Sequence, residues 1–375
     1  MGEIRPFELR IAEQELVALA DRLDHVRWPE KEPVDDWSQG TKLAALKELV
    51  AYWRIEYDWR RCEARLNDIG QFVTEIDGLD IHFLHKRSSR ADAVPLILTH
   101  GWPGSVIEFL GVIDELTQPS DREAMAFHVV APSLPGYGFS GKPRETGWGV
   151  ERIAKAWAEL MGRLGYASWV AQGGDWGAAI TTAIGKLAPE GCRGIHLNMP
   201  IGRPGPEDMQ SSDPKVQRAF EALGFYQQWD AGYSKLQSTR PQTIGYSLVD
   251  SPVGLAAWIL EKVYYWTDND GSPWDALSMD QVLDDIMLYW LPATGASAAR
   301  LYWESFAKFG DGKVAIPAGA SAFPKEILPA PREWVERTLT NLVHWNDLDE
   351  GGHFAAWEQP ELFVRELRAC FAKMV

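Results

Sequence analysis

The sequence predicts a doubly wound α/β fold, a mostly parallel sheet with helices on both faces. Three observations carry that expectation. Short β-rich runs alternate with helical apolar spacing, glycine-centred turns close several of those runs, and from residue 201 to roughly 305 the alternation gives way to crowded helical signals. An inserted helical block between the sixth and seventh core strands is where a lid would sit.

Taken in order, residues 8 to 26 and 41 to 62 have helical apolar spacing, as in Leu43, Leu46, Leu49, Val50 and Trp53, with a loop at W-S-Q-G-T between them. FVTEI and IHFLHKR, joined by Asp77-Gly78, read as a β-hairpin. VPLILTH is a buried strand that ends in H-G-W-P-G at 100 to 104, and HVVAPSL is a second that closes in P-G-Y-G at 135 to 138. A helix comes next over 150 to 164, then the strand WVAQGG, a helix beginning just after Asp175, and the strand GIHLNMP. Strand signals resume at KVAIPAG and NLVHWNDL, and a final amphipathic helix covers 359 to 373. In open sheets of this kind ligands bind at the carboxyl ends of the strands, and every motif that carries chemistry falls there.

Composition narrows the class. A chain of 375 residues has room for one domain with additions or for two, and 46% hydrophobic with 24% charged residues is ordinary for a soluble globular protein. A net charge of −16 argues against nucleic acid and against an anionic membrane surface, since both attract basic patches. Cys62, Cys192 and Cys370 are too few and too scattered for a disulfide framework or a zinc site, so a reducing cytoplasm is the expected compartment. The N-terminus shows no apolar signal-peptide core, and no run approaches ~18 uninterrupted apolar residues, so no membrane anchor is expected. The 18 tryptophans suit a roomy apolar pocket, although plain core packing accounts for most of them.

The chemistry concentrates at A-Q-G-G-D-W-G-A, residues 171 to 178. Its outline is G-x-S-x-G, the strand–turn–helix elbow that exposes a serine nucleophile, but the serine position carries Asp175. A carboxylate is already a nucleophile at neutral pH and forms an ester by attacking an sp³ carbon. A helix N-terminus favours its anionic form; an ordinary cap aspartate is the less favoured alternative. His353, in G-G-H-F after the last strand, stands where a base for ester hydrolysis belongs in the order nucleophile, acid, histidine. Candidates for the orienting acid are Glu326, Glu333, Glu336, Asp347, Asp349 and Glu350. Glu326 is selected by position, in the loop past the seventh strand. Backbone N–H groups of Trp102 and Trp176 could form an oxyanion hole, and Trp102-Pro103 is a candidate cis bond. Opening a strained ring such as an epoxide also needs a proton donor, and a phenol supplies one without adding charge. The lid offers tyrosines 226, 233, 246, 264, 265, 289 and 302, which composition cannot rank.

Together the motifs resemble the microsomal-type epoxide hydrolases of the α/β-hydrolase superfamily, over almost the whole chain. W-S-Q-G-T, A-Y-W-R-I-E-Y-D-W-R and L-N-D-I-G-Q-F look like that family's N-terminal extension. H-G-W-P-G, L-P-G-Y-G-F-S, Q-G-G-D-W-G, D-S-P-V-G-L-A-A-W-I-L-E-K, S-A-F-P-K-E and G-G-H-F-A-A-W-E-Q-P-E match its signatures in order. The resemblance implies an α/β-hydrolase fold with a mostly parallel eight-stranded sheet, a wrapping extension over 1–70, core over 71–200 and 306–375, and a helical cap over 201–305. It implies Asp175 as nucleophile, His353 as base, Glu326 as orienting acid, and Tyr233 and Tyr302 as ring-opening tyrosines.

The activity it implies is conversion of a small-molecule epoxide to a vicinal diol without metal or organic cofactor. The cap residues Trp229, Leu236, Gln237 and Trp266 are the expected pocket setters, and a homodimer is left open. Membrane-anchored members carry an N-terminal hydrophobic helix, and this chain begins directly with the extension, which makes it similar to the soluble bacterial branch. Its length and the segment S-K-L-Q-S-T-R-P-Q-T are similar to members serving natural-product pathways, including enediyne antibiotics. The nearest rival is a haloalkane dehalogenase, which shares the Asp–His machinery but needs indole N–H donors for halide in place of phenols. A non-catalytic binding module is the third reading, and an intact Asp, His, Glu and Tyr set argues against it.

Overall fold

The computed structural model describes residues 2–306 and 312–375. Residues 307–311, near the start of the expected second part of the core, lie outside the described ones. A nine-stranded sheet runs β1-β2-β3-β5-β4-β6-β7-β8-β9. The strands are β1 Arg5–Pro6, β2 Gln71–Ile76, β3 Leu79–Lys86, β4 Val94–Thr99, β5 Phe127–Pro132, β6 Trp169–Gly173, β7 Cys192–Leu197, β8 Ala318–Ala322 and β9 Leu342–Asp347. β1 to β3 pair antiparallel, β3 lies antiparallel on β5, and the rest is parallel. The count exceeds the expected eight because two residues of the N-terminal segment add an edge to the hairpin.

Two local expectations differ from the structure. The helical run over 41 to 62 is split into α2 Leu43–Ile55 and α3 Trp59–Ile69, because Asp58 restarts the chain as a cap that accepts from the Arg60 N–H. The strand expected at KVAIPAG lies later, over Ala318–Ala322, and Val314 makes only an isolated bridge to Leu339. Small residues suit β8 because the sheet is overlaid closely there: a Cβ on Gly319 would meet Cys370 Sγ at 2.3 Å. Small residues have weak strand propensity, so packing rather than propensity places this strand.

The remaining helices are α1 Glu13–Asp24, α4 Ile113–Thr117, α5 Val150–Arg163, α6 Trp176–Leu187, then α7 Pro214–Phe225, α8 Gly232–Thr239, α9 Pro241–Asp250, α10 Pro252–Trp266, α11 Met279–Trp290 and α12 Gly295–Ser305 between β7 and β8, and α13 Arg332–Glu336, α14 Ala355–Glu358 and α15 Pro360–Phe371. The N-terminal helices are tied to the inserted block by polar bonds. Tyr57 Oη donates to Asp284 at 2.8 Å, Arg61 pairs with the same carboxylate, and Tyr52 Oη donates to Asp280. Among the described residues no single helix is long and apolar enough to cross a bilayer; α9 and α10 pass that test only as a pair bent by 115°.

Candidate active site

Asp175 sits between β6 and α6 with φ 50° and ψ −125°, a conformation that side chains other than glycine rarely adopt. The glycines around it are required by space. A Cβ on Gly177 would lie 1.9 Å from Thr99 O, and one on Gly101 would lie 2.1 Å from Asp175 Oδ1. The sharp turn is therefore held between two strand ends, and the strain exposes one carboxylate.

Three other segments converge on it. In H-G-W-P-G the Trp102-Pro103 bond is cis, as expected, and the Trp102 N–H donates to Asp175 Oδ1 at 2.7 Å. Tyr289 Oη donates to Gly104 O at 2.7 Å and Ser105 Oγ to Asp285 Oδ1 at 2.6 Å, so α11 pins this loop from beneath. From the loop after β9, His353 brings Nε2 to 3.5 Å from Asp175 Oδ2, while its Nδ1 lies 2.8 Å from Glu326 Oε1. Glu326 also accepts from the Ile327 N–H, and the His353 N–H donates to Trp266 O. Of the other acids weighed, Glu333 and Glu336 lie on α13, and Asp347 pairs with Lys215.

The inserted block covers this centre with aromatic rings. Tyr233, at the start of α8, stacks on Trp102 with ring centroids 4.8 Å apart. Tyr302, on α12, meets Trp176 edge-on at 4.8 Å, and the two phenol rings are 5.7 Å apart. Trp266 packs against the His353 ring at 5.0 Å, and its indole N–H donates to Asp230. Gln237 is buried and accepts from the Trp258 indole, and Leu236 is half-buried. Trp229 does not join them: it is 69% exposed and lines an outer cavity of about 560 Å³ with Trp37, Phe225 and Tyr265. Of the other lid tyrosines, Tyr246 is exposed, Tyr264 stacks on Trp37, and Tyr265 bonds to Trp37 O. Tyr226 does reach the site, since its hydroxyl lies 3.2 Å from that of Tyr233.

Electrostatics suit the groups to distinct tasks. Burial opposes a charged His353, but the Glu326 and Asp175 carboxylates outweigh it and hold the imidazole well above its ordinary value. Burial first, and then neighbouring charge including that of Asp175, pushes the Tyr233 and Tyr302 phenols well above theirs, so both keep their protons at neutral pH. Among the described residues no cluster of three or more His, Cys, Asp or Glu could hold a metal. The centre is thus a carboxylate on a strained turn, with an oxyanion-type N–H on one oxygen, an acid-backed histidine at the other, and phenols overhead.

The model described as "Epoxide hydrolase N terminus" matches residues 4–109, and that of the alpha/beta hydrolase fold matches residues 94–360. The chain belongs to the epoxide hydrolase family. A Stigmatella aurantiaca protein bearing the name "Putative epoxide hydrolase" is 54% identical, covering 99% of this chain and 85% of that one. Epoxide hydrolase 1 of Sus scrofa is 36% identical over 97% and 88%. The solved epoxide hydrolase of Aspergillus niger is 34% identical and superposes with a TM-score of 0.91 over 100% and 97%. As a member of this family the protein is a hydrolase, and neither the dehalogenase nor the binding-module reading is favoured. The indoles of Trp266 and Trp258 in the inserted block are engaged by Asp230 and Gln237.

Proposed function

We propose that this epoxide hydrolase opens its substrate through a covalent alkyl ester on Asp175. The observation that carries the reading is the Asp175 carboxylate itself. One oxygen accepts from the Trp102 N–H at 2.7 Å, and the other lies 3.5 Å from His353. Oδ2 attacks an epoxide carbon, the ring C–O bond breaks, and the leaving oxygen takes a proton from a phenol of the Tyr233–Tyr302 pair. Ester formation removes the Asp175 charge that helped hold His353 protonated, so the imidazole releases its proton, which by way of solvent restores the tyrosine phenol, and the neutral ring can then accept a proton from water. Glu326 fixes Nδ1, hydroxide adds to the ester carbon, and the charge on Oδ1 is met by the Trp102 amide and, as the sequence suggests, that of Trp176. Collapse releases the diol and restores the carboxylate.

The test is isotopic. In a single turnover in ¹⁸O-water the first diol should carry unlabelled oxygen from Asp175; label appearing directly in that diol would show that water attacks the ring and would end the covalent role. His353→Gln should trap an adduct of the epoxide's full mass on Asp175, detectable by mass spectrometry. The resemblance of the S-K-L-Q-S-T-R-P-Q-T segment to members serving natural-product pathways extends the reading to natural-product metabolism. Preferential turnover of bulky polycyclic epoxides over styrene-like and aliphatic ones would support that extension, and the reverse preference would remove it.

A further inference from the structure

Tyr233 and Tyr302 are not equivalently supported. Between α7 and α8 the chain makes a π-helical turn over Tyr226–Asp230, a rare geometry that recurs at functional sites. The turn brings Tyr226 Oη to 3.1 Å from Ser234 Oγ and 3.2 Å from Tyr233 Oη. The proton positions can be assigned by counting donors. Ser234 Oγ lies 2.9 Å from Ala231 O, a carbonyl that can only accept, so the serine hydrogen is committed there. Ser234 can then only accept from Tyr226, whose single hydrogen is spent on it. In the remaining contact Tyr233 donates to Tyr226. Tyr302, by contrast, stands outside this chain of hydroxyls: its nearest polar side-chain neighbour is the Trp176 indole, whose ring it meets edge-on.

We propose that Tyr226 is a positioning residue that reverses its hydrogen bond during ring opening: it accepts from Tyr233 in the free enzyme and donates to Tyr233 once that residue has given up its proton. The inference rests on the ring-opening role proposed above for Tyr233. The electron pair of the breaking C–O bond goes to the epoxide oxygen, which takes the Tyr233 proton, leaving Tyr233 as a phenolate. Tyr226 rotates its O–H from Ser234 onto that phenolate and keeps its own proton, and Ser234 keeps its bond to Ala231. The buried Lys262 ammonium, 4.6 Å from the Tyr233 ring centroid, faces the same developing charge. Tyr233 is thereby the proton donor, and Tyr302 orients the oxygen.

The experiment measures the rate constant of ester formation by rapid quench, across styrene oxides whose ring substituents vary the basicity of the alkoxide formed. A hydrogen bond to a charged group sets the scale, so Tyr226→Phe should slow ester formation roughly 10- to 100-fold with little change in epoxide Kd. The loss should grow as the alkoxide becomes more basic, and Tyr226→Phe should add nothing on a Tyr233→Phe background. Ser234→Ala frees the Tyr226 proton in advance, so ester formation should be at least as fast as in the wild type. A wild-type rate in Tyr226→Phe, a loss equal for every epoxide, or a slowed Ser234→Ala would each overturn the proposal while leaving the role of Tyr233 intact. An undiminished rate in Tyr233→Phe would instead remove the ring-opening role itself, and this inference with it.

Discussion

Replacing Lys262 with methionine should destabilise the protein measurably. Lys262 Nζ lies 2.6 Å from Asp230 Oδ1, with the two side chains only 2% and 6% exposed. Methionine fills a similar volume but leaves Asp230 as a buried anion whose remaining side-chain donor among the described residues is the Trp266 indole at 2.8 Å. Removing one partner of a buried pair costs about 3–5 kcal/mol, and the surviving indole bond puts the loss near the lower end, about 3 kcal/mol. With an unfolding entropy of about 2.1 cal/mol/K per residue, the 375 residues give about 0.8 kcal/mol/K. The midpoint should therefore fall by about 4 °C. Asp230→Asn should cost less, because Lys262 retains Glu261 Oε1 at 3.1 Å. The double variant should recover part of the Lys262→Met loss. Differential scanning calorimetry at neutral pH measures all three. A Lys262→Met midpoint indistinguishable from wild type, or an Asp230→Asn loss larger than that of Lys262→Met, would refute the reasoning.

The site and its surroundings yield three further expected outcomes. His353 is raised in the free enzyme, so its contribution to stability is fully present below its ordinary value of 6.5 and is lost as pH rises through the higher folded value. Because the ester lacks the Asp175 charge, the acid limb of the hydrolytic half-reaction should lie below the pH at which His353 titrates in the free enzyme by NMR; coincident midpoints would contradict the proposed order of events. Burial raises Asp285 from 3.8 to about 8, so the fold favours its protonated form. Wild type should lose stability relative to Asp285→Asn as pH rises between those values, and denaturant titrations giving a pH-independent difference would count against it. Gly177→Ala places a methyl against the backbone at Thr99 and should destabilise by about 1–3 kcal/mol; an unchanged urea midpoint would mean that the turn is looser than its contacts imply.

Legibility varied with how local the constraint is. The elbow at Asp175 was readable because its glycines are demanded by backbone contacts within one turn, and sequence leaves such demands visible. His353 and Glu326 could be selected from chain order, and the structure brings the two together at 2.8 Å. The phenols could not be ranked from spacing, since Tyr233 and Tyr302 meet only through the packing of α8 against α12, which resemblance to a family could supply and periodicity could not. Tyr226 was one of seven equal candidates because a π-helical turn has no clear sequence signature. Trp229 stands outside the pocket that its aromatic character suggests, because the same turn that carries Asp230 inward leaves its neighbour facing outward. β8 was placed too early because its apolar neighbours looked more like a strand than its alanines, glycine and serine.

The hydrogen bond from the Trp102 N–H to Asp175 Oδ1 has an isotopic consequence. Under the proposed route Oδ2 leaves with every diol and is replaced by an oxygen from water, whereas Oδ1 takes part only as the transient oxyanion. If the amide keeps the carboxylate from rotating, the side chain holds one oxygen that is renewed at every cycle beside one as old as the polypeptide. After many turnovers in ¹⁸O-water, Asp175 should then carry a single heavy oxygen. A second label would record how often the carboxylate turns over between one catalytic cycle and the next.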